Sequence, residues 1–535
     1  MWQIKEINHK ALTDFIRTTG FSEPLARLLY LRNIKTLKAA QRFLNPKLSD
    51  LYSPFDLPDI QPAIERIVSA IKNKEPILIW GHEDLDGITS VVILYETLRD
   101  LQADVHYYIP AKHTEKYGLN STKVKALPNP IKLVITVDCG ITNFSEVEDL
   151  TQSGIDTIIL EHHEVLDRLP KAIANVDPKR PDSKYPFPFL AAVGVVLKVT
   201  MALLERFLNI KLEEFFSIKP DFLSLAALGT IADRVPLQDE NRILIKYGLQ
   251  ELKNAKRSVL QALLAEEQIN PVDLTVEKFI SVLLPLFASA NGQDACHFFL
   301  SQDYEKIKQW LKNLADQRDV WREETRQALN IAKNVLDFSG ELVIVKSDKL
   351  PLRTMGHCAS KLREQYQVPA IVIGKGKENW IGECRGVDQV NLIDLLKANS
   401  HYFIDFGGHK KACGFSIPEV NLEAFINAAK DYAHNNFKDK IQPETILIDA
   451  ILPLPELTEE FAQLGPFGEG NPAPLLIAPK THIKLSTFGE LIALENPKLR
   501  LFNNSEQIKL SDGIFDLLYT FDENLNVYIK QAVIQ

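Results

Sequence analysis

Cysteine is scarce and poorly spaced for structural use. The five cysteines, Cys139, Cys296, Cys358, Cys384 and Cys413, are odd in number and never fall as C-x-x-C, which argues against both a disulfide framework and a cysteine zinc site. Reduced thiols in a cytoplasmic protein are the expectation. Long apolar runs are missing too. The longest, "FLAAVGVVLKVTMALL", is interrupted by Lys198 well short of a membrane span, and "MWQIKEINHK" lacks the apolar centre of a signal peptide. No membrane partner is expected. Positive charge is also in short supply, with 61 Lys and Arg against 70 Asp and Glu and a net charge of −9. A nucleic-acid partner would therefore need a local basic groove or metal ions rather than a generally cationic surface.

What is present is a globular composition, 45% hydrophobic and 24% charged, over 535 residues. That length exceeds what one hydrophobic core supports and implies several domains. Residues 1–75 read as short helices, with apolar positions at helical spacing in "LARLLYLRNIKTLKAAQRFL" and "IQPAIERIVSAIKNK". From "PILIWG" short apolar runs alternate with helical segments, which predicts right-handed βαβ units and a mainly parallel sheet over 76–240. A helical region over 241–338 ends in "YEKIKQWLKNLADQRDVWREETRQALNIAKNVL", a long amphipathic helix suited to joining two lobes. Alternation resumes in "ELVIVK", "PAIVIG" and "WIGECR", giving a second α/β domain over 339–436. The strand-like remainder, 437–535, predicts a small β-barrel or sandwich.

The chemistry starts with "GHEDLDGITS", Gly81–Ser90. It is no EF-hand: with His82 as position 1, position 12 is Ile93, where a bidentate carboxylate is required, and "ILIW" before it is a strand. A polar turn and a metal site both remain open on this stretch alone. Three further clusters shift the balance. "VITVDCGITN" puts Asp138 after a buried strand, "TIILEHHEV" puts Glu161, His162 and His163 after another, and "LAALGTIADRVPL" ends an apolar helix at Asp233. Taken singly, each has an ordinary structural explanation. Ligands of open parallel sheets bind beyond the carboxyl ends of the strands, however, so motifs sharing that position converge. His82, Asp84, Asp86, Asp138, His162 and Asp233 then form one oxygen and nitrogen donor set for two divalent cations, Mn²⁺ first and Mg²⁺ second. Cations ~4 Å apart suit phosphodiester hydrolysis.

In this order and spacing the clusters resemble the motifs of the DHH phosphoesterase superfamily, in particular its RecJ-type single-strand exonucleases. "YYIPAKHTEKYGLN", "DPKRPDSKYPF", "AALGTIADRVPLQDENR", "FGGHKKACGF" and "LGPFGEGNPAP" are similar to family segments as well. The resemblance implies a DHH domain, a DHH-associated domain joined by a long helix, and a C-terminal OB-fold. It implies that His82, Asp84 and Asp138 hold one cation and that Asp86, Asp138, His162 and Asp233 hold the other. Asp138 would bridge them, His163 would contact the scissile phosphate, and Glu161 would orient the ligands. Gly407, Gly408 and His409 would bind phosphate, with Lys112 and Arg385 adding charge along the strand's path. The implied activity is 5′-to-3′ hydrolysis of single-stranded DNA in recombination and repair, by a monomer working beside a single-strand-binding protein or a repair helicase.

The chain also departs from the family. Family members usually have aspartate where His82 stands, and DHH where this chain has "EHH". The family's P-R-I-N-A-A-G-R appears as "PLFASANG", with Leu286 and Ala288 at the arginine and asparagine positions, and "KLPLRTMGHCASKL" lacks the usual W-H-x-G. An intact ligand set beside eroded substrate contacts leaves a second reading open: a weakly active or inactive homologue that takes short oligonucleotides or serves as a binding scaffold.

Overall fold

The computed structural model describes all residues except 1, 112–114, 116–117, 167, 442–445, 487–489, 504–509 and 535. The chain forms two compact units, one from 1–314 with 446–535 and one from 315–445.

The first unit is organised by a five-stranded parallel sheet. Its strands are β1 (Ile77–Trp80), β2 (Val105–Tyr108), β3 (Leu133–Val137), β4 (Asp156–Leu160) and β5 (Ala174–Val176), in the order β2-β1-β3-β4-β5. β1, β3 and β5 are buried throughout, as parallel strands covered on both faces must be. Three helices bear on the candidate site: α1 (Leu85–Asp100), α2 (Ala192–Leu208) and α3 (Asp221–Ala232). α3, "DFLSLAALGTIA", is apolar all round, and ten of its residues are buried; such a helix belongs inside a core.

The N-terminal helices and the C-terminal barrel share one core. Leu12, Phe15, Leu25, Leu28 and Leu29 pack with Leu452, Phe461, Leu476, Tyr519 and Phe521. The barrel closes Leu476–Leu485, Leu491–Ala493, Leu501–Asn503, Val527–Ile534 and Gly513–Phe521 in that order, the last strand pairing back to the first, as in an OB-fold. The strand Trp2–Ile4 pairs in parallel with Ile446–Ile448.

The segment "QDENR" ties these parts together. Glu240 is fully buried and bonded to Lys198 at 2.6 Å, to the Tyr52 amide at 2.8 Å and to the Tyr185 hydroxyl at 2.6 Å. Arg242 donates to the carbonyls of Phe43, Leu464, Gln463 and Gly465. Among the described residues no carboxylate forms an ion pair with it, and five donors on a planar fork let carbonyls satisfy it. Phe467 is 8% exposed and meets Phe521 edge-on with ring centres 5.6 Å apart. It packs, leaving no face for a base.

One helix, Tyr304–Val335, carries the chain from the first unit into the second. The second unit has a six-stranded sheet running Asp405–His409, Ala412–Ile417, Trp380–Arg385, Ala370–Lys375, Val343–Ser347 and Leu336–Phe338. Asp405–His409 is an exposed edge strand. Among the described residues, no helix is long and apolar enough to cross a membrane.

Candidate metal centre

Chain direction around β1 sets up the site. β1 continues to β2 on one side and pairs with β3 on the other, which opens a crevice at the carboxyl ends between β1 and β3. The chain leaves β1 into Gly81 and His82, leaves β3 directly into Asp138, and leaves β4 into Glu161 and His162. α3 ends at Asp233, its C-cap. Asp138 has φ 59°, a left-handed conformation that costs a non-glycine residue about 1 kcal/mol or more.

The six donor residues meet there. His82 Nδ1 lies 3.2 Å from Asp84 and 3.4 Å from Asp138. His162 Nε2 lies 3.2 Å from Asp138 and 4.0 Å from Asp86, and its Nδ1 lies 3.6 Å from Asp233. Two groups, His82 with Asp84 and Asp138 and Asp86 with His162 and Asp233, each hold their donor atoms within 4.8 Å of one another, and so do Asp138, His162 and His163. Asp86, Asp138 and His162 are buried. Among the described residues neither ring nitrogen of His162 meets a partner in hydrogen-bond geometry, although Asp138 stands 3.2 Å from Nε2, an expensive state for a buried imidazole.

Electrostatics reflect the crowding. Burial pushes the Asp86 carboxyl well above its ordinary range, with Asp138 adding to the shift, and burial holds Asp233 up to about 6. For His82 and His162 burial acts downward, but the close carboxylates, Asp138 first, outweigh it and lift both to about 10. Four carboxylates thus share two imidazoles, and a proton on each imidazole still leaves negative charge over. Divalent cations fit this donor set: carboxylate oxygens and imidazole nitrogens without thiolate, buried and short of positive charge.

Glu161 has a different place. Its carboxylate turns back to accept from the amides of Ile141, His162 and His163, and His163 Nδ1 lies 2.7 Å from it. The added methylene relative to aspartate is absorbed by this loop. His163 is half exposed, with Nδ1 engaged and Nε2 available.

In the second unit, Arg385 and His409 are both in register with Ala412, one on each side, which spaces their strands by about 10 Å. Arg385 also bonds Glu383 at 3.0 Å and the Cys384 carbonyl at 2.9 Å. Gly408 has φ 127°, and a Cβ there would lie 2.5 Å from Cys413 Cα, so the fold itself demands glycine. Gly407 is different: a Cβ would meet nothing within 4 Å. No described residue stands where its side chain would be. Lys112, the remaining residue expected along the substrate path, lies outside the described residues.

Comparison with known proteins agrees with this geometry. Residues 76–230 match the DHH family N-terminal domain, and residues 340–435 match the DHHA1 domain. The single-stranded-DNA-specific exonuclease RecJ of Bacillus subtilis is 30% identical over 526 residues, covering 92% of this chain and 65% of that protein. RecJ of Haemophilus influenzae is 29% identical over 480 residues, covering 84% and 82%. The crystal structure of Thermus thermophilus RecJ in complex with Mn²⁺ superposes with a TM-score of 0.74 at 22% identity, covering all of this chain and 79% of that one. The chain is similar to RecJ exonucleases over most of its length, as a divergent relative, and carries the DHH and DHHA1 domains. It spans about two-thirds or less of the length of some of these RecJ relatives, 65% for the Bacillus protein.

The departures from the RecJ pattern can now be located. Leu286 is 1% exposed, so the position that carries arginine in the RecJ family is turned into the core here. Ala288 is exposed. Asn291 caps the helix Gly292–Leu300 by accepting from the Asp294 amide, and Gln293 accepts from the Ile109 amide at 2.9 Å, at the end of β2. Sequence reading missed this role. It also missed the amides of Ala192 and Val193, which bond Asp86 at 2.8 and 2.9 Å, and Asp177, a buried carboxylate after β5 that burial holds up to about 6.

Proposed function

We propose that this chain is a two-cation phosphodiesterase that removes nucleotides from single-stranded DNA in the 5′-to-3′ direction. The observation that carries the reading is the convergence of six ligand-competent side chains at the strand ends around a buried imidazole whose nitrogens, among the described residues, meet no partner in hydrogen-bond geometry. His82, Asp84 and Asp138 would hold one cation, Mn²⁺ or Mg²⁺, and Asp86, Asp138, His162 and Asp233 the other. When bound, such a pair activates water and stabilises the leaving oxygen. The chain's own groups supply the rest. Asp138 belongs to both ligand sets and is therefore the least replaceable. Glu161 fixes the His163 ring through Nδ1, which leaves Nε2 to meet the scissile phosphate. In the second unit Arg385, Gly407, Gly408 and His409 would bind strand phosphates, the open approach at Gly407 being the supporting feature.

DNA specificity rests on relatives that are named as single-stranded-DNA-specific exonucleases, and polarity rests on the family resemblance. On the same footing we assign the chain to cytoplasmic recombination and repair, acting as a monomer with a single-strand-binding protein or repair helicase as neighbour. The buried Leu286 favours one alternative, a reduced grip on long strands with retained hydrolysis of short ones. The test is to incubate the purified protein with 5′- and 3′-labelled single strands, duplexes and dinucleotides, in Mn²⁺ or in EDTA. Mn²⁺-dependent release from the 5′ end of single strands is expected. Cleavage of dinucleotides alone selects the alternative, and no metal-dependent cleavage of any substrate rejects the enzyme.

A further inference from the structure

We infer that the N-terminus of α2 is a working part of the metal centre: the Ala192 and Val193 amides seat the Asp86 carboxylate and fix the side it offers to a cation. The inference rests on the two-cation reading above. Asp86 Oδ2 accepts from the Ala192 amide at 2.8 Å, and Oδ1 accepts from the Val193 amide at 2.9 Å. The two partners stand 106 and 107 residues away in the chain, so a ligand on α1 serves as the cap of α2. α2 needs one, since Ala191 at its N-cap position offers no side-chain acceptor. The third side is closed by α3, where a Cβ on Gly229 would lie 2.7 Å from Asp86 Oδ1 and 2.5 Å from Thr89 Oγ1.

A carboxylate held at both oxygens and walled by a glycine cannot swing. The positive end of α2 also offsets part of its charge before any cation arrives. Asp86 is thus positioned in advance, at a site where a free carboxylate would first have to be immobilised. Asp84 is held more loosely, accepting one amide, that of Gly87, through a single oxygen.

Ala192→Pro removes the N–H and, because its ring carbon takes the direction of that N–H, also pushes the Asp86 oxygen out of its seat, whereas the lactic-acid ester analogue of residue 192 deletes the N–H alone. Residue 192 is the first position of α2, where proline's fixed φ suits the helix and where a missing N–H breaks no intrahelical bond. Ala191, with φ −72° and ψ 166°, already has the extended conformation that proline requires of its predecessor. The measurement is Mn²⁺ titration of the metal-free full chain by calorimetry and electron paramagnetic resonance, alongside melting of the metal-free proteins. Expected are a metal-free melting temperature lowered by a few degrees, from the lost hydrogen bond to a buried carboxylate, and Mn²⁺ affinity weakened by about 10- to 100-fold, as for other groups that orient metal ligands. Should the proline variant fail to fold, the lactic-acid ester analogue of residue 192 deletes the same N–H without the ring and is read in the same way. Wild-type affinity in the folded variant overturns the inference and leaves the two-cation reading intact. Failure of the wild type to bind Mn²⁺ overturns both.

Discussion

Lys198 and Glu240 are buried as deeply as Asp86 and His162, and both pairs lie in the same unit. Their surroundings differ. The Lys198 ammonium has Glu240 and the Tyr52 carbonyl, and Glu240 has the Tyr52 amide and the Tyr185 hydroxyl as well. One cation meets one anion, and the oxygens left over meet donors. At the strand ends four carboxylates meet two imidazoles, and among the described residues neither nitrogen of His162 meets a partner in hydrogen-bond geometry. The first cluster is complete as folded, and the second is complete only with added positive charge. Burial alone does not separate a structural charge from a functional one; the balance of partners does.

Asp138→Ala tests that contrast most severely. Asp138 is within reach of both His82 and His162, so removing it takes a donor from both ligand groups. Metal-dependent cleavage should fall by at least about 10³-fold, beyond the 10- to 100-fold typical of groups that only orient ligands. The metal-free protein should lose little stability, because Asp84 still faces His82, and Asp86 and Asp233 still face His162. Most of the activity surviving would remove the bridging assignment, and a large loss of metal-free stability would make the site structural.

Lys198→Met should behave in the opposite way. It leaves Glu240 buried without its cation, and breaking such a pair costs about 3–5 kcal/mol, to be read from urea unfolding. Cleavage per folded molecule should stay at the wild-type level, and a loss of turnover in the folded fraction would join the two clusters functionally.

The sequence carried the metal centre further than it carried the packing. Strand–loop junctions are legible because a short apolar run followed by acids and histidine marks the end of a parallel strand, and such ends share one edge of the sheet. That places His82, Asp138 and His162 without coordinates. The partnership of Asp86 with Ala192 and Val193 was not legible, because backbone amides carry no residue signature and the segments are more than a hundred residues apart. "QDENR" read as part of a family motif, yet its glutamate and arginine act as structural ties to Lys198, Tyr185 and the carbonyls of 463–465. The shared core of the N-terminal helices and the barrel joins residues from opposite ends of the chain, and no local pattern announces such packing.

Glu161→Gln probes the border between the two kinds of cluster, since Glu161 is buried, fully engaged and still part of the site. A neutral amide can accept some of the loop amides but cannot match the carboxylate's pairing with His163. Turnover should drop by about 10- to 100-fold with Mn²⁺ affinity close to wild type. An equal loss in Mn²⁺ affinity would move Glu161 among the groups that hold the cations.

The smallest effect is a slope with pH. In the metal-free protein His82 and His162 are held up to about 10 against an ordinary 6.5. Burial opposes this shift, and the attraction of Asp138 and the neighbouring carboxylates outweighs it. A group whose folded pKa is raised contributes its full stability below the unfolded value and loses it as pH rises through the folded one. The metal-free protein should therefore lose melting temperature progressively between pH 6.5 and about 10, by a few degrees per kcal/mol lost. Asp233, held up to about 6, has given up its own contribution below this window. Cations take the place of the lost protons, so the gap between Mn²⁺-loaded and metal-free melting temperatures should widen across the same range. In His162→Asn one of the two titrating imidazoles is missing and that widening should shrink. A gap that stays constant with pH in the wild type would mean that these imidazoles do not balance the carboxylates, and the contrast with Lys198 and Glu240 would fail at its most sensitive point.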